Sequence, residues 1–282
     1  MVAQAPQSPA ATGSMTMGIS VQDLLIGDTL VRVSGSGEPI VFVHGFTTTS
    51  EFWREQVEPF SRRSRVIRVN LPGHGRSPSP AGRHYRIEDF VGDVERVFRE
   101  LGIARAILVG LSMGGTIAQH FTLANPSLVR GLVLVGATPH GLGPDVNVDN
   151  VHAAIDAHGI ATASRNVIDR SFAPSTPAAL LDFAKDEVVQ TPEFVAREAI
   201  TSLNASDSRD DLGRITVPTL VVVGDKDTIT PPEESRRLAE GIPDSRLVIV
   251  EGAGHFPMIE KPEVFNGALR EFAEQLAPTL VS

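Results

Sequence analysis

The 282-residue sequence contains no cysteine, which removes disulfide frameworks, zinc-thiolate sites, iron–sulfur clusters and a thiol nucleophile from consideration. Basic charge is short as well: 25 Lys and Arg stand against 34 Asp and Glu, a net charge of −9. Binding a phosphate backbone or an anionic membrane needs a concentrated positive surface, so neither is an expected partner. No apolar run is long enough to cross a bilayer as a helix. Residues 1–18 carry no Lys or Arg and no apolar stretch of the kind a secretory signal needs. They read as a flexible N-terminal tail, and the chain reads as a soluble, cytoplasmic protein. What remains is an ordinary globular composition, 41% hydrophobic and 21% charged, without internal repeats and long enough for one large domain carrying an insertion.

From Ser20 onward, short β-branched runs alternate with longer amphipathic stretches, the pattern of a mostly parallel sheet covered by helices on both faces. Strands are predicted at Val21–Leu25, Thr29–Ser34, Ile40–Val43, Arg65–Asn70, Ala106–Val109, Leu132–Val135, Thr219–Val223 and Leu247–Val250, the first two as an antiparallel hairpin. Helices are predicted at Glu51–Phe60, Ile87–Leu101, Met113–Ala124, Pro232–Glu240 and Pro262–Gln275. Between Ala137 and Val217 the strand rhythm stops, and helical patterns appear at Val148–His158, Pro177–Gln190 and Pro192–Asn204. The expected organisation is therefore a core formed by 19–136 and 218–282, interrupted by a helical cap at 137–217. That insertion holds twelve acidic and six basic residues, an excess that weighs against a polyanionic substrate and also fits a solvated face.

The stretch Gly110-Leu111-Ser112-Met113-Gly114-Gly115 follows an apolar strand and precedes a helix. As a bare pattern it is weak, and Ser112 could merely cap the helix. Its position gives it weight. A serine on a sharp strand-to-helix turn stands exposed, small neighbours let backbone pass beneath it, and the adjacent helix N-terminus favours negative charge. A serine hydroxyl needs a base. Of eight histidines, His255 in Gly252-Ala253-Gly254-His255-Phe256-Pro257 lies in a loop just after the last predicted strand, at the sheet edge that also carries Ser112. His44 and His74 lie near the same edge, in loops whose geometry accounts for them. The base needs a carboxylate to orient it. Asp225 and Asp227 both follow strand Thr219–Val223; Asp227 is far enough along the loop to turn inward, while Asp225 suits local turn bonds or a neighbouring arginine. The chain order Ser, Asp, His is that of one serine-hydrolase architecture among several.

Preorganised donors must meet the charge that develops on a carbonyl oxygen. The Met113 amide is one candidate, and Phe46, aimed by the turn His44-Gly45-Phe46, is the second. Phe46, Trp53, Met113 and Phe256 would then form apolar walls. Phe172, Phe183 and Phe194 of the insertion could roof them, although aromatics at helical spacing are more often plain core.

These residues resemble the α/β-hydrolase superfamily over nearly the whole chain: His44-Gly45-Phe46 with downstream Trp53, Asn70-Leu71-Pro72-Gly73-His74-Gly75-Arg76-Ser77, the Ser112 turn, the Asp227 loop and Gly254-His255 occur in the family's order. The resemblance implies the α/β-hydrolase fold with an eight-stranded sheet. It implies Ser112 as nucleophile, Asp227 and His255 as its partners, and the Phe46 and Met113 amides as oxyanion hole, with no cofactor or metal. Within the superfamily the chain is similar to enol-lactonases, small carboxylesterases and cofactor-free haloperoxidases, so the expected substrate is a small to medium, largely apolar ester or lactone cleaved through an acyl-enzyme. Branches with an Asp nucleophile are excluded by Ser112. Hydrolases of carbon–carbon bonds in diketone acids usually carry Asn where this chain has Leu111, and take second place. A perhydrolase and a ligand receptor on the same fold are further alternatives, the receptor being separated by an absence of sustained turnover.

Overall fold

The computed structural model describes residues 19–142 and 146–276; the expected tail at 1–18 lies outside them. Strands β1 (Val21–Ile26) and β2 (Thr29–Ser34) form the expected hairpin across Gly27-Asp28, and β3 (Glu38–Val43), β4 (Ser64–Asn70), β5 (Ala106–Leu111), β6 (Val129–Val135), β7 (Thr219–Gly224) and β8 (Ser245–Val250) complete one eight-stranded sheet. The strand order is β1-β2-β4-β3-β5-β6-β7-β8. β1, β2 and β4 pair antiparallel, and every pairing from β4 through β3 to β8 is parallel. Parallel strands buried on both faces need apolar side chains in both directions, and β7 (TLVVVG) is buried at every position.

Helices follow as α1 (Val57–Ser61), α2 (Ile87–Glu100), α3 (Met113–Ala124), α4 (Val148–Ser171), α5 (Ala178–Glu187), α6 (Glu193–Ala205), α7 (Pro232–Gly241), α8 (Pro257–Glu260) and α9 (Pro262–Gln275). The period of two along the strands divides the core into two layers. Val41 and Val43 of β3 pack with Phe90, Val94 and Val97 of α2 and with α3. Ile40 and Phe42 of the same strand pack with Phe52, Trp53 and Phe265 on the opposite face. α2 buries one stripe, whereas α3 is buried over most of its circumference, as its small and apolar composition allows.

Two elements depart from the sequence expectation. The stretch expected as one helix over Glu51–Phe60 is a 3₁₀ segment, Ser50–Gln56, followed by the short α1; Trp53 leaves helical geometry (φ −103, ψ 17) while fully buried against Phe42 and Phe265. The helix expected to stop at His158 runs on to Ser171. Gly159, a plausible stop signal, adopts φ 73 and ψ 158 inside α4, so the helix breaks there and resumes. The helices α4, α5 and α6 all lie in the segment between β6 and β7. No helix among the described residues is long and apolar enough to cross a membrane.

Candidate active site

In register, the ends of the central parallel strands are aligned: Val43 stands opposite Gly110, Leu111 opposite Val135, and Val135 opposite Val222. The loops that leave these ends therefore converge at one edge, on either side of the point where the chain order reverses. At the end of β5 the chain turns into α3 through Ser112, with φ 50 and ψ −116. A side chain at Gly110 would place its Cβ 2.2 Å from the Gly114 carbonyl oxygen, and one at Gly114 would lie 2.4 Å from that of His44. Only hydrogens fit, and this close passage of backbone is what makes the turn possible. The strained Ser112 backbone is held by its N–H donating to Val135 O (2.9 Å) and by its carbonyl accepting from Gly115 (2.7 Å) and Thr116 (3.2 Å). Ser112 stands at the N-cap of α3, yet its hydroxyl caps nothing.

His255, 4% exposed, directs Nδ1 to Asp227 Oδ2 at 2.8 Å. Asp227, also 4% exposed, is satisfied on both oxygens: Oδ1 accepts the Ile229 and Thr230 amides at 2.9 Å each, and the Thr230 hydroxyl lies 2.8 Å from Oδ2. A carboxylate so surrounded is fixed in orientation and tolerates burial. Donation from Nδ1 assigns that nitrogen the proton and leaves Nε2 as the acceptor. Asp225 takes the local role expected of it, accepting from the Gly252 amide (2.7 Å); its ion-pair partner is Lys226 (2.9 Å) rather than an arginine.

On the other side of Ser112, the turn after β3 is fixed by buried histidine. His44 Nδ1 donates to Gly45 O (2.8 Å) and Nε2 accepts the Leu71 amide (3.0 Å). Burial holds the His44 imidazole well below the usual histidine range, with His74, whose ring lies 4.9 Å away, adding to the effect. Burial likewise lowers His74 to about 4. Both rings are thus neutral scaffolding, as their loop positions suggested. Asn70 contributes from the same motif, its Oδ1 accepting the Ser50 amide at 2.6 Å. Met113 is the first residue of α3, so its amide has no intrahelical acceptor. The Phe46 amide makes no backbone hydrogen bond among the described residues.

Ser112, His255 and Phe46 line one cavity of about 510 Å³, together with Phe256, Thr47 and both halves of α4. The lining is largely aliphatic and aromatic. Among the described residues Arg170 is the one Lys, Arg, Asp or Glu that lines it, and none of the insertion's described acidic residues reaches it. Several expected wall residues lie elsewhere, and packing explains each. Trp53 fills the core between Phe42 and Phe265, and the Met113 side chain is buried in the opposite layer. Phe172 stands behind Phe256 (5.0 Å between ring centroids), Phe183 packs on Phe52 beneath the Arg54 guanidinium, and Phe194 is half exposed against Tyr85.

Three participants were missed from the sequence. Thr230 contacts Asp227 and lies 2.9 Å from Gly136 O. Gly136, at the end of β6, has φ 49, and a Cβ there would sit 3.0 Å from His255 Nδ1 and 3.2 Å from Asp227 Oδ2. A glycine just beyond a predicted strand at the chemical edge was the available signal. Thr47, directly after Phe46, is a β-branched residue at φ 54, and no sequence pattern announces it. Among the described residues Thr47 and Ser112 are the only non-glycine residues with positive φ, and both line the cavity. Backbone strain of this kind costs about 1–3 kcal/mol per residue and persists where surrounding structure enforces it.

A doubly covered parallel sheet, with a strained serine after its fifth strand and an Asp–His pair after its seventh and eighth, defines the α/β-hydrolase class. The sequence profile of the alpha/beta hydrolase family matches residues 40–268, and the chain belongs to that family. A putative carbamate hydrolase of Azorhizobium caulinodans is 30% identical over 255 residues, covering 88% of this chain and 96% of that protein. Among solved structures, an esterase from Exiguobacterium antarcticum superposes with a TM-score of 0.82 at 28% identity, covering 89% of this chain and 98% of the other. The enol-lactonase from Burkholderia xenovorans gives 0.82 at 27% identity, covering 90% and 100%.

Proposed function

We propose that the protein is a serine hydrolase of small to medium, largely apolar carboxylic esters or lactones. The observation that carries this reading is the opening of strained Ser112 and Asp227-oriented His255 into one nearly uncharged cavity. Ser112 Oγ attacks the substrate carbonyl while His255 Nε2 takes its proton. Asp227 keeps Nδ1 protonated and stabilises the imidazolium. The Phe46 and Met113 amides receive the oxyanion, each donor of this kind supplying about 2.7–4 kcal/mol to the transition state. His255 then protonates the departing alcohol, and water reverses the sequence at the acyl-enzyme. His255 directs its hydrogen bond to Asp227 rather than to the Ser112 hydroxyl, and the nucleophile–base contact of the mechanism is one that commonly tightens in the Michaelis complex.

We assign 137–217 the role of a cap, because residues of α4 and α6 form much of the cavity wall. The apolar lining supports an apolar acyl or alcohol group, and the esterase and enol-lactonase structures support the bond type. The putative carbamate hydrolase motivates a second reading in which a carbamate carbonyl is attacked by the same serine. Initial rates on p-nitrophenyl esters of increasing acyl length, simple lactones and an aryl carbamate, for the native protein and Ser112→Ala, test both. Ester or lactone turnover lost in the variant supports the first reading, and carbamate turnover alone supports the second. Equal rates in both proteins refute the serine mechanism, and no turnover on any substrate points to a carbon–carbon hydrolase or a receptor.

A further inference from the structure

Glu260, the last residue of α8, is five residues beyond His255 and plays no part in the chemistry above. Its carboxylate nevertheless accepts four hydrogen bonds beside the site, as many contacts as Asp227 makes. Oε1 accepts the amides of Gly254 (2.9 Å) and Phe256 (3.2 Å), the two chain neighbours of His255. Oε2 accepts the Ala173 amide (2.8 Å) and the Thr176 hydroxyl (2.8 Å), both in the segment that follows α4. The remaining amide of the loop, that of His255 itself, donates to Ser171 O at 2.6 Å. Three consecutive amides around the base are therefore held, two by one side chain and the third by the C-terminal end of α4.

All four partners of Glu260 are donors. Only an ionised carboxylate offers acceptors in both directions, and charged acceptors make the stronger hydrogen bonds. A glutamine offers one oxygen, so it can serve either the His255 loop or the 173–176 segment and must turn its NH₂ group toward donors on the other side. An aspartate keeps the charge but is one methylene too short to span both.

We propose that Glu260 is a positioning residue for the His255 base: by bridging the loop 254–256 to residues 173–176 it fixes the imidazole against Asp227 and couples its placement to the roof of the cavity. This rests on the serine-hydrolase reading above. It does not touch substrate, so its loss acts through the geometry of proton transfer. A displacement of the base approaching 1 Å costs about 100-fold, so Glu260→Gln is expected to lower kcat by about 10- to 100-fold with KM changed less than about threefold. A loss of packing alone would instead reduce the fraction of folded enzyme and leave kcat per active site unchanged.

The test combines p-nitrophenyl ester kinetics, normalised by active-site titration with a fluorophosphonate, with proton NMR of the hydrogen-bonded His255 Nδ1–H. That resonance is assigned by its loss in His255→Gln. In the native protein it is expected far downfield; in folded Glu260→Gln it broadens or disappears while kcat falls. Glu260→Asp should show the same loss in smaller measure, and it decides the matter should the glutamine variant not fold. A folded variant with kcat within twofold of native and an unchanged downfield proton overturns the proposal. The two readings fail separately. Native activity in Ser112→Ala defeats the serine mechanism and leaves the NMR arm to judge the positioning of His255, whereas an inactive Ser112→Ala beside a fully active Glu260→Gln defeats the positioning role alone.

Discussion

Gly136→Ala is a one-carbon perturbation aimed at the Asp227–His255 pair from the end of β6. The added Cβ would lie 3.0 Å from His255 Nδ1, 3.1 Å from its Cε1 and 3.2 Å from Asp227 Oδ2. Contacts this short require neighbours to yield by a few tenths of an ångström, and the neighbours here are the two groups whose 2.8 Å hydrogen bond orients His255, the base of the proposed mechanism. Scaling from about 100-fold per ångström of misplacement, kcat should fall by roughly 5- to 10-fold, with KM little affected. The backbone adds a separate term: alanine at φ 49 is disfavoured by about 1–2 kcal/mol, partly offset by the lower entropy of its unfolded chain. Net destabilisation near 1 kcal/mol follows. Urea unfolding measures the second effect and ester kinetics on the fully folded variant the first. A folded Gly136→Ala with kcat within twofold of native would show that the pair does not depend on the space left by this glycine.

Asp227→Asn keeps an oxygen for the Ile229 and Thr230 amides but points an NH₂ group at His255 Nδ1, forcing the other tautomer; kcat should fall by about 10⁴ with the fold intact, and a loss under tenfold would remove Asp227 from the orienting role. Stability should also fall on acidification. His74 titrates at about 4 in the folded protein and near 6.5 when unfolded, so the unfolded chain binds the extra proton, and stability present above pH 6.5 is lost as pH drops toward 4. Between pH 7 and pH 5 this one residue removes about 2 kcal/mol, and His44 acts in the same direction. Urea denaturation at the two pH values measures the difference, and equal stabilities would contradict the buried neutral imidazoles.

The sheet was legible because strands buried on both faces must be nearly continuous Val, Ile and Leu, and β5, β6 and β7 are. The places of Ser112 and Asp227 followed from the loops that leave β5 and β7, and that of His255 from the loop after the less buried β8. What escaped was whatever depends on how segments distant in sequence meet. Gly136 and Thr230 matter only because β6, β7 and the His255 loop abut. The side chains of Trp53, Met113, Phe172 and Phe183 face packed core rather than the cavity, and nothing in helical periodicity distinguishes the two. Gly159 carries a common helix-ending signal, yet Ile160–Ser171 resumes the helix and supplies cavity residues such as Val167. Local sequence gives the stop signal; only tertiary packing decides that the chain continues.

The stretches where the chain leaves β6 and returns toward β7 run side by side. Ser208 N–H donates to Pro139 O (2.8 Å), and Gln119 of α3 bridges the two, donating to Thr138 O (3.0 Å) and accepting from the Ser208 hydroxyl (2.7 Å). Roughly seventy residues thus begin and end at neighbouring points, and the closure entropy of such a loop grows only with the logarithm of its length. On the cap assignment proposed above, natural variation or an engineer can lengthen, shorten or exchange the parts of this segment that do not meet the His255 loop, whereas Ser171, whose carbonyl accepts the His255 amide, and Ala173 and Thr176, which donate to Glu260, have to be kept. Under the proposed function, substrate preference would then vary in one stretch of the insertion, while a second stretch of the same insertion stays bound to the base.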